Sequence, residues 1–445
     1  MQGVRLPANP IQWLDAARSA RAGARGSAEQ RKIVARLEGE MRACLEARGG
    51  EVSARARAAQ LGRDYALLDE AGREAFFRTL SGFALGPAPP DELLAKYRSA
   101  ADPRERQRLA REVRAALKAP WVRLLTQFNS LEGGVKFLVD LRADLLGMLE
   151  REPLFEALDA DLREILASWF DIGFLELRRV TWDAPAALLE RLAKYEAVHE
   201  VRNWLDLKNR LDVDRRCFAF HHPAMPDEPL IFVEVALTGE LSAKIAPLLD
   251  RRAPVSKPAE AACAIFYSIS NCQRGLQGIS FGNALIKRVV NELSHELPKV
   301  RTYATLSPVP GFAAWLRAQA KENADGAEAR TLELAAGRGW HRDAPAAEAL
   351  RLPLMRLCAR YLLQEKRGER AARDPVEHFH LGNGARLERI NWLSDTSAKG
   401  LRESFSLMVN YVYTIDQIDE NLEKYAAEGR IASSGAVRDL AKARN

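Results

Sequence analysis

No run of about 18 uninterrupted apolar residues occurs in the 445-residue sequence, so nothing in it is expected to cross a membrane as a helix. A phosphate motif of fixed spacing is missing too. There is neither a Walker A loop nor a clean G-x-G-x-x-G, which removes the commonest nucleotide signatures. The five cysteines (Cys44, Cys217, Cys263, Cys272 and Cys358) are odd in number and form no Cys-x-x-Cys. A zinc site or disulfide frame is therefore not expected, and reduced structural thiols are. No internal repeat or low-complexity tract stands out. Charge is nearly balanced: 66 Lys and Arg against 60 Asp and Glu leave +6. Arginine is interleaved with acids along solvated faces, so no basic surface calls for nucleic acid. The small excess suits a polyanionic small ligand.

What is present is a globular composition, 47% apolar and 28% charged. The length predicts two domains. The opening MQGVRLPANPIQWLDAARSARAGARG is rich in Arg and Ala like a transit peptide, but Asp15 interrupts it and the same bias runs through the whole chain. Ala443, Arg444 and Asn445 do not match the Ser-Lys-Leu peroxisomal address. The expected location is the cytoplasm.

The first 170 or so residues read as successive helices. Ser27-Ala-Glu-Gln30 is a capping box, and Ile33, Leu37, Met41 and Cys44 follow at helical spacing up to the stop at Gly49-Gly50. Asp91–Ala100, Pro103–Lys118, Leu131–Leu149 and Leu154–Phe170 continue the pattern, with breaks at Gly86–Pro90 and Ala119-Pro120. No catalytic constellation falls here. After about Gly173 the apolar period switches repeatedly between 2 and 3.6, the mark of mixed α/β structure. Cys217–His222 and Leu230–Leu237 read as strands about a Pro223–Pro229 loop. Ala261–Ile269 and Arg301–Leu306 read as further strands, and about Asn283 to Glu296 reads as a helix burying Leu285, Ile286, Val289, Val290 and Leu293. Another helix begins near Phe312, and Ser404–Tyr413 alternates as a strand. Charged helices at Asp416–Glu428 and Ala436–Arg444 follow.

Three places could carry chemistry. The Gly275–Gly282 turn (GLQGISFG) lies between a strand and a helix, where bare amides and the helix dipole make a pyrophosphate cradle. The turn alone reads equally well as a left-handed turn without a ligand. Lys287 and Arg288, one turn into the helix, read as its solvated face. Ser307 precedes Pro308, which forces it into extended backbone, and Gly311-Phe312 opens a helix just beyond. It thus projects from a strand end, at the edge where α/β sheets bind ligands, although alone it reads as a turn or capping serine. Ser268 and Ser270 are rival hydroxyls whose i, i+2 spacing makes one strand face polar. His380 stands beside Gly382-Asn383-Gly384, a turn that calls for positive φ and predicts a hairpin, with His378 on the same strand face. Two histidines at that spacing can bind a metal, but only Asp374 or Glu377 offer a third ligand, weakly placed. A single buried histidine beside a ligand is the better reading. Asn410 and Tyr411 read as structural, and Tyr413 as able to point a hydroxyl into a site. His221-His222 read as surface residues at a loop, and His199, His295 and His341 as helix or loop surface.

Several blocks, in order, closely resemble the malonyl-CoA decarboxylase family. They are RNWLDLKNR (Arg202–Arg210), PLIFVEVALTG (Pro229–Gly239), AIFYSIS, GLQGISFG, LIKRVVNEL, LSPVPGF, FHLGNGA and RINW. The N-terminal part resembles that family mainly in being helical. The resemblance implies an α+β, multidomain protein: an all-helical oligomerisation domain over residues 1–172, then an acetyltransferase-like (GNAT-type) mixed α/β catalytic domain over 173–445 that binds acyl-CoA. It implies the conversion of malonyl-CoA to acetyl-CoA and CO2 without metal or organic cofactor, in a homotetramer built as a dimer of dimers. The family's paired Ser and His fall on Ser307 and His380, and its tyrosine near the C-terminal strand on Tyr413. Its acyl-CoA loop falls on Gln277, Gly278, Ile279, Ser280, Phe281, Gly282 and Asn283. Loss of CO2 leaves a carbanion conjugated with the thioester carbonyl, so the substrate supplies its own electron sink. The protein must orient the breaking bond, stabilise the enolate and deliver one proton to carbon. On this expectation Ser307 binds or deprotonates the malonyl carboxylate and His380 donates the proton to C2; the sequence leaves open which of the two holds the carboxylate. An acyl-CoA-dependent N-acetyltransferase on the same fold is the competing expectation, and a non-catalytic acyl-CoA-binding or scaffold protein is a second.

Overall fold

The computed structural model describes residues 27–46, 50–84, 90–279, 285–337 and 339–442. They divide into two compact units. One takes the described residues up to Phe174 together with His222–Pro226 and residues 273–279, and the other takes the remainder.

The first unit is helical, as its periodicity predicts: Ser27–Leu45, Gly50–Ala66, Glu70–Ser81, Pro90–Ser99, Pro103–Leu117, Pro120–Thr126, Gly134–Leu146 and Pro153–Trp169. Starts are set by caps and prolines. Asp69 accepts from the Gly72 N–H at 2.8 Å, Asp102 from the Glu105 N–H at 3.1 Å, and Pro103, Pro120 and Pro153 sit in first turns, where a missing N–H costs nothing. Ile33, Leu37, Met41 and Cys44 are buried along one stripe. The side chains of Ser27, Ala28 and Glu29, as well as Gly49, Gly86–Pro89 and the first 26 residues, lie outside the description. The core is aromatic, with Tyr65 edge-on to Phe76 and Phe137 at ring separations of 4.8 and 5.6 Å.

Arg142 is the unusual member of this core, 2% exposed. Its Nε donates to Asp159 at 2.8 Å, and its Nη1 donates to the carbonyls of Gly275 and Gln277 at 2.7 and 2.8 Å. The guanidinium therefore ties the Gly-rich segment to the Gly134–Leu146 helix. Only glycine fits at 275, where a Cβ would stand 1.7 Å from the Val139 carbonyl oxygen. The predicted left-handed turn is present at Gly278 (φ +76°).

The second unit holds an eight-stranded sheet. Its strands are β1 (Glu176–Val180), β2 (Arg215–His222), β3 (Met225–Thr238), β4 (Cys263–Asn271), β5 (Thr302–Thr305), β6 (Ser307–Pro308), β9 (Arg386–Asn391) and β10 (Met408–Tyr413), while β7 (Lys366–Arg367) pairs separately with β8 (Ala371–Ala372). The order is β1-β2-β3-β4-β5-β10-β6, with β9 also on β10. β4 and β5 pair in parallel, whereas β10 runs antiparallel to β5, β6 and β9. The β4–β5 ladder ends at Phe266↔Thr305, yet β4 continues to Asn271. The two strands part at their carboxyl ends, the place where open α/β sheets bind ligands. Near the same point β4 shifts register against β3 between Glu234 and Val235.

An α+β chain, helical first and mixed afterwards, is thus what is found. The Leu285–Glu296 helix buries the five apolar side chains predicted for it. Some boundaries differ. β3 starts at Met225, inside the predicted loop, as a hydrogen-bonded neighbour of β2, which ends at His222. The predicted strand from Ser404 is a helix (Ala398–Ser404) before it is a strand, since Ser397 caps the Gly400 N–H at 3.1 Å. His221 is not a surface residue. It is 2% exposed because β2 lies between β1 and β3. All five cysteines are free and buried.

Replacing Arg142 with Met leaves Asp159 and two carbonyls without their donor. The expected cost is about 3 kcal/mol, typical of removing one partner from a buried ion pair. It is read as a lower urea midpoint, and an unchanged midpoint would show that the guanidinium contributes nothing to the helical unit.

Candidate active site

Ser307 lies two residues beyond the last β4–β5 pair, with its backbone held to β10 opposite Val409. Extended backbone ahead of Pro308 follows from proline sterics. The side chain is buried, 5% exposed. Thr305 and Ser307 alternate with Leu306 and so share a face. Ser307 Oγ donates to Thr305 Oγ1 at 2.8 Å, and the Tyr411 N–H donates to the same oxygen at 3.2 Å.

His380 reaches this place differently from the sequence expectation. Its segment is a helix, Pro375–Leu381, not a strand of a hairpin. The local reason is Asp374-Pro375. The aspartate caps the Val376 and Glu377 N–H groups at 2.9 and 3.2 Å, and proline occupies the first turn. Gly384 does take positive φ (+79°), but it follows the helix, and the strand after it is β9. On a helix, i and i+2 diverge, so His378 and His380 part company. His378 Nδ1 contacts the Tyr425 hydroxyl at 2.7 Å. His380 instead points at Ser307, with Nε2 at 3.0 Å from Oγ, and its Nδ1 is 2.8 Å from the Tyr413 hydroxyl.

One donor order satisfies the whole chain of contacts. The Tyr413 O–H donates to Nδ1, Nε2–H donates to Ser307 Oγ, and the Ser307 O–H donates to Thr305. Tyr411 and Tyr413 alternate with Val412, so both face His380. The Tyr411 ring stacks on the imidazole with centroids 4.7 Å apart and planes 27° from parallel. Burial pushes the His380 imidazole down to about 3, so it is neutral at pH 7. Burial likewise raises the Tyr413 hydroxyl well above its ordinary value and keeps it protonated.

Asn410, fully buried, locks the strands that carry these groups. Its Nδ2 donates to the Thr305 and Ser242 carbonyls at 2.7 and 3.0 Å, while its Oδ1 accepts from Asn391 and Arg389 at 2.8 and 3.1 Å. The structural reading of Asn410 therefore holds. Every hydrogen-bonding position of the amide is occupied.

Other candidates go elsewhere. Ser268 Oγ donates to both oxygens of Glu196 at 2.8 Å, and Ser270 Oγ donates to the same carboxylate at 3.3 Å. The face is polar as expected, but it serves Glu196 and not the Ser307–His380 pair. His199 is not plain surface either: burial pushes its imidazole down to about 4. Lys287 pairs with Asp419 at 2.8 Å, and Arg288 donates to the Leu175 carbonyl at 2.9 Å. Gln277, Gly278 and Ile279 belong with the helical unit, and Ser280, Phe281, Gly282 and Asn283 lie outside the described residues. Among the described residues no group of three or more His, Cys, Asp or Glu could hold a metal ion. Glu377, raised as a weak third ligand, is fully buried with neither carboxyl oxygen hydrogen-bonded, and burial beside Asp374 raises it well above the usual carboxylate range. No helix among the described residues is long and apolar enough to cross a membrane.

Sequence inspection missed Thr305 and the stacking role of Tyr411. Their signal was the i, i+2 spacing from Ser307 and Tyr413.

Against known proteins, a family model described as "Malonyl-CoA decarboxylase C-terminal domain" matches residues 173–445, and one described as "Malonyl-CoA decarboxylase N-terminal domain" matches residues 89–170. The curated "Malonyl-CoA decarboxylase, mitochondrial" of Anser anser anser is 41% identical over 354 residues, covering 73% of this chain and 70% of that one. Its namesake from Mus musculus is 40% identical over 357 residues, covering 74% and 72%. Crystal structures titled malonyl-CoA decarboxylase are similar throughout. That from Rhodopseudomonas palustris has a TM-score of 0.86 at 42% identity, covering 91% of this chain and 99% of that one. That from Agrobacterium vitis has a TM-score of 0.84 at 40% identity, covering 92% and 100%. Matched over residues 89–170 and 173–445 by the two family models, and sharing two fifths of its aligned residues with these relatives, the chain belongs to the malonyl-CoA decarboxylase family.

Proposed function

We propose that the chain is a carboxy-lyase that converts malonyl-CoA to acetyl-CoA and CO2, with Ser307 and His380 as the catalytic pair and Tyr413 supporting His380. The observation that carries this reading is the buried chain of hydrogen bonds from Tyr413 through His380 to Ser307, at 2.8 and 3.0 Å, in a member of this family. Acyl-CoA-dependent N-acetyl transfer is not favoured by the family match.

The C2–carboxyl bond breaks when it stands perpendicular to the thioester carbonyl plane. Its electron pair passes into the enolate and CO2 departs. The pair then returns to C2 with a proton. Ser307 Oγ–H holds the malonyl carboxylate, already ionised at neutral pH, and His380 Nε2 delivers the proton. A neutral imidazole is too weak an acid for that step, so His380 must be imidazolium in the substrate complex. The incoming carboxylate supplies the opposite charge that raises its pKa from the low value of the free site. After transfer His380 is neutral again, and solvent returns one proton per turnover. The thioester is the electron sink, so no metal or organic cofactor is called on. Gln277–Asn283 is assigned to the acyl-CoA phosphates, supported by the left-handed turn at Gly278 and the Arg142 anchor. Residues 173–445 are assigned as the catalytic domain and 1–172 as the oligomerisation domain of a homotetramer, a dimer of dimers, supported by the family match alone. Five free, buried thiols suit a reducing compartment such as the cytoplasm.

Purified protein given malonyl-CoA with chelator present should yield acetyl-CoA and CO2 in equal amounts. Ser307→Ala and His380→Ala should each lower kcat by about 100-fold or more, the usual range for a positioned acid or donor. Acetyl transfer to an amine with no CO2 released would sink the proposal.

Tyr413→Phe removes the hydroxyl that donates to Nδ1 of the neutral ring and, once His380 is imidazolium, accepts from Nδ1–H, so the ring loses its anchor in both states. The expected loss is about tenfold in kcat with little change in KM, smaller than for His380 itself. Equal losses in both parameters would place Tyr413 on the substrate instead.

The pH dependence has a definite sign. His380 must gain a proton on substrate binding, so kcat falls as pH rises through the pKa of the complex, while the free enzyme's value of about 3 bears on kcat/KM. A kcat profile that rises with pH would instead make His380 a base.

A further inference from the structure

We propose that Asp374 is a positioning residue for the Ser307–His380 pair, its single carboxylate joining the start of the helix that bears His380 to the start of the helix that follows Ser307. This rests on the role given above to that pair. Asp374 is 1% exposed. Oδ1 accepts from the Val376 and Glu377 N–H groups at 2.9 and 3.2 Å, which is ordinary capping. Oδ2 does something a cap does not require: it accepts from the Gly311 N–H at 3.1 Å, 63 residues away, and from the Tyr361 hydroxyl at 3.4 Å. A cap that served only its own helix could stay in water, where a carboxylate is cheaper to hold.

Both arms from this joint are stiff. On one side a helix runs from Asp374 to His380, fixing the imidazole relative to the carboxylate. On the other, Ser307 and Gly311 are separated by Pro308-Val309-Pro310, where two prolines fix φ. The Phe312–Glu322 helix begins directly after Gly311. Glycine at 311 is what lets the joint close. A Cβ there would stand 2.2 Å from the Tyr361 hydroxyl and 3.3 Å from Asp374 Oδ2. Two rigid arms pinned at one point leave little freedom at their far ends, where Ser307 Oγ and His380 Nε2 meet at 3.0 Å. Misplacement by about 1 Å at such a pair costs on the order of 100-fold in rate.

Asp374→Asn is the discriminating variant. Its carbonyl keeps the cap, while its NH2 turns a donor toward the Gly311 N–H. The expected result is a fall in kcat of about tenfold or more, KM for malonyl-CoA within about twofold, and a melting temperature near wild type. Combined with His380→Ala, the same substitution should cost nothing further, because the pair it aligns is already broken. A kcat loss that simply adds to that of His380→Ala, a change in KM alone, or no change at all would overturn the proposal. Nitrogen-15 spectra of histidine-labelled protein give a readout independent of the reaction. In Asp374→Asn the His380 ring signals should shift while those of the five histidines outside this helix stay; unmoved His380 signals would also overturn it. That arm is decisive even if the wild type proves inactive on malonyl-CoA, which would fault the proposed activity and not the joint. Should Asp374→Asn fail to fold, the double variant Gly311→Ala/Tyr361→Phe makes room for the added methyl and displaces the joint from its other side, with the same outcomes read.

Discussion

The 3.0 Å contact between Ser307 and His380 is the constraint on which the rest of the second unit turns. The two side chains are 73 residues apart and come from different kinds of structure, a two-residue strand and a short helix. Neither element is stable alone. Both are held by β10, which pairs with β5, β6 and β9 and carries Asn410, Tyr411 and Tyr413 at alternate or adjacent positions. Asn410 fixes the end of β5 from which Ser307 departs. Tyr411 and Tyr413, on one face, hold the imidazole by stacking and by a hydrogen bond. A strand with these three residues inside a sheet is thus both scaffold and inner lining of the site.

Burial sets the chemistry as much as the contacts do. Ser307, His380 and Tyr413 are each at most 5% exposed, and in such surroundings the charged form of every titratable group is disfavoured. In the mechanism proposed above, the imidazole, neutral by itself, becomes an acid only when an anion arrives beside it. The substrate's carboxylate is such an anion, and it is lost in the reaction. On that mechanism CO2 leaves uncharged, the negative charge passes to the enolate, and the proton given up by His380 cancels it, leaving a neutral ring beside a product without a carboxylate. Arg142 shows the opposite use of burial. A permanently charged group, satisfied by one carboxylate and two carbonyls, fixes a loop of the helical unit.

Much of the architecture was legible because it depends on local patterns. Apolar residues at helical spacing marked five of the first eight helices, and the switch to alternation marked the sheet. Ser307 was legible because Pro308 dictates its backbone. His380 was identifiable as a site residue, but its surroundings were misread. Gly382-Asn383-Gly384 looks like a hairpin turn, and the Asp374-Pro375 start signal is short and easily passed over in a segment of only seven helical residues. The polar pair Ser268 and Ser270 showed its common face without showing its partner, since Glu196 lies some seventy residues earlier in the chain. Strand β1 escaped notice because its five residues, Glu-Leu-Arg-Arg-Val, are largely exposed and charged.

By itself, then, the sequence determined element types, the extended placement of Ser307, the need for glycine at turns, and a set of blocks specific enough to identify the family. Those depend on steric rules and spacings acting over a few residues. Tertiary structure alone decided which nitrogen of His380 meets Ser307 and which meets Tyr413. It also decided that Thr305 and Tyr411 belong to the site, and that Asp374 reaches Gly311. These are contacts between segments tens of residues apart, whose energies depend on burial and distance. Neither quantity exists until the chain has closed on itself.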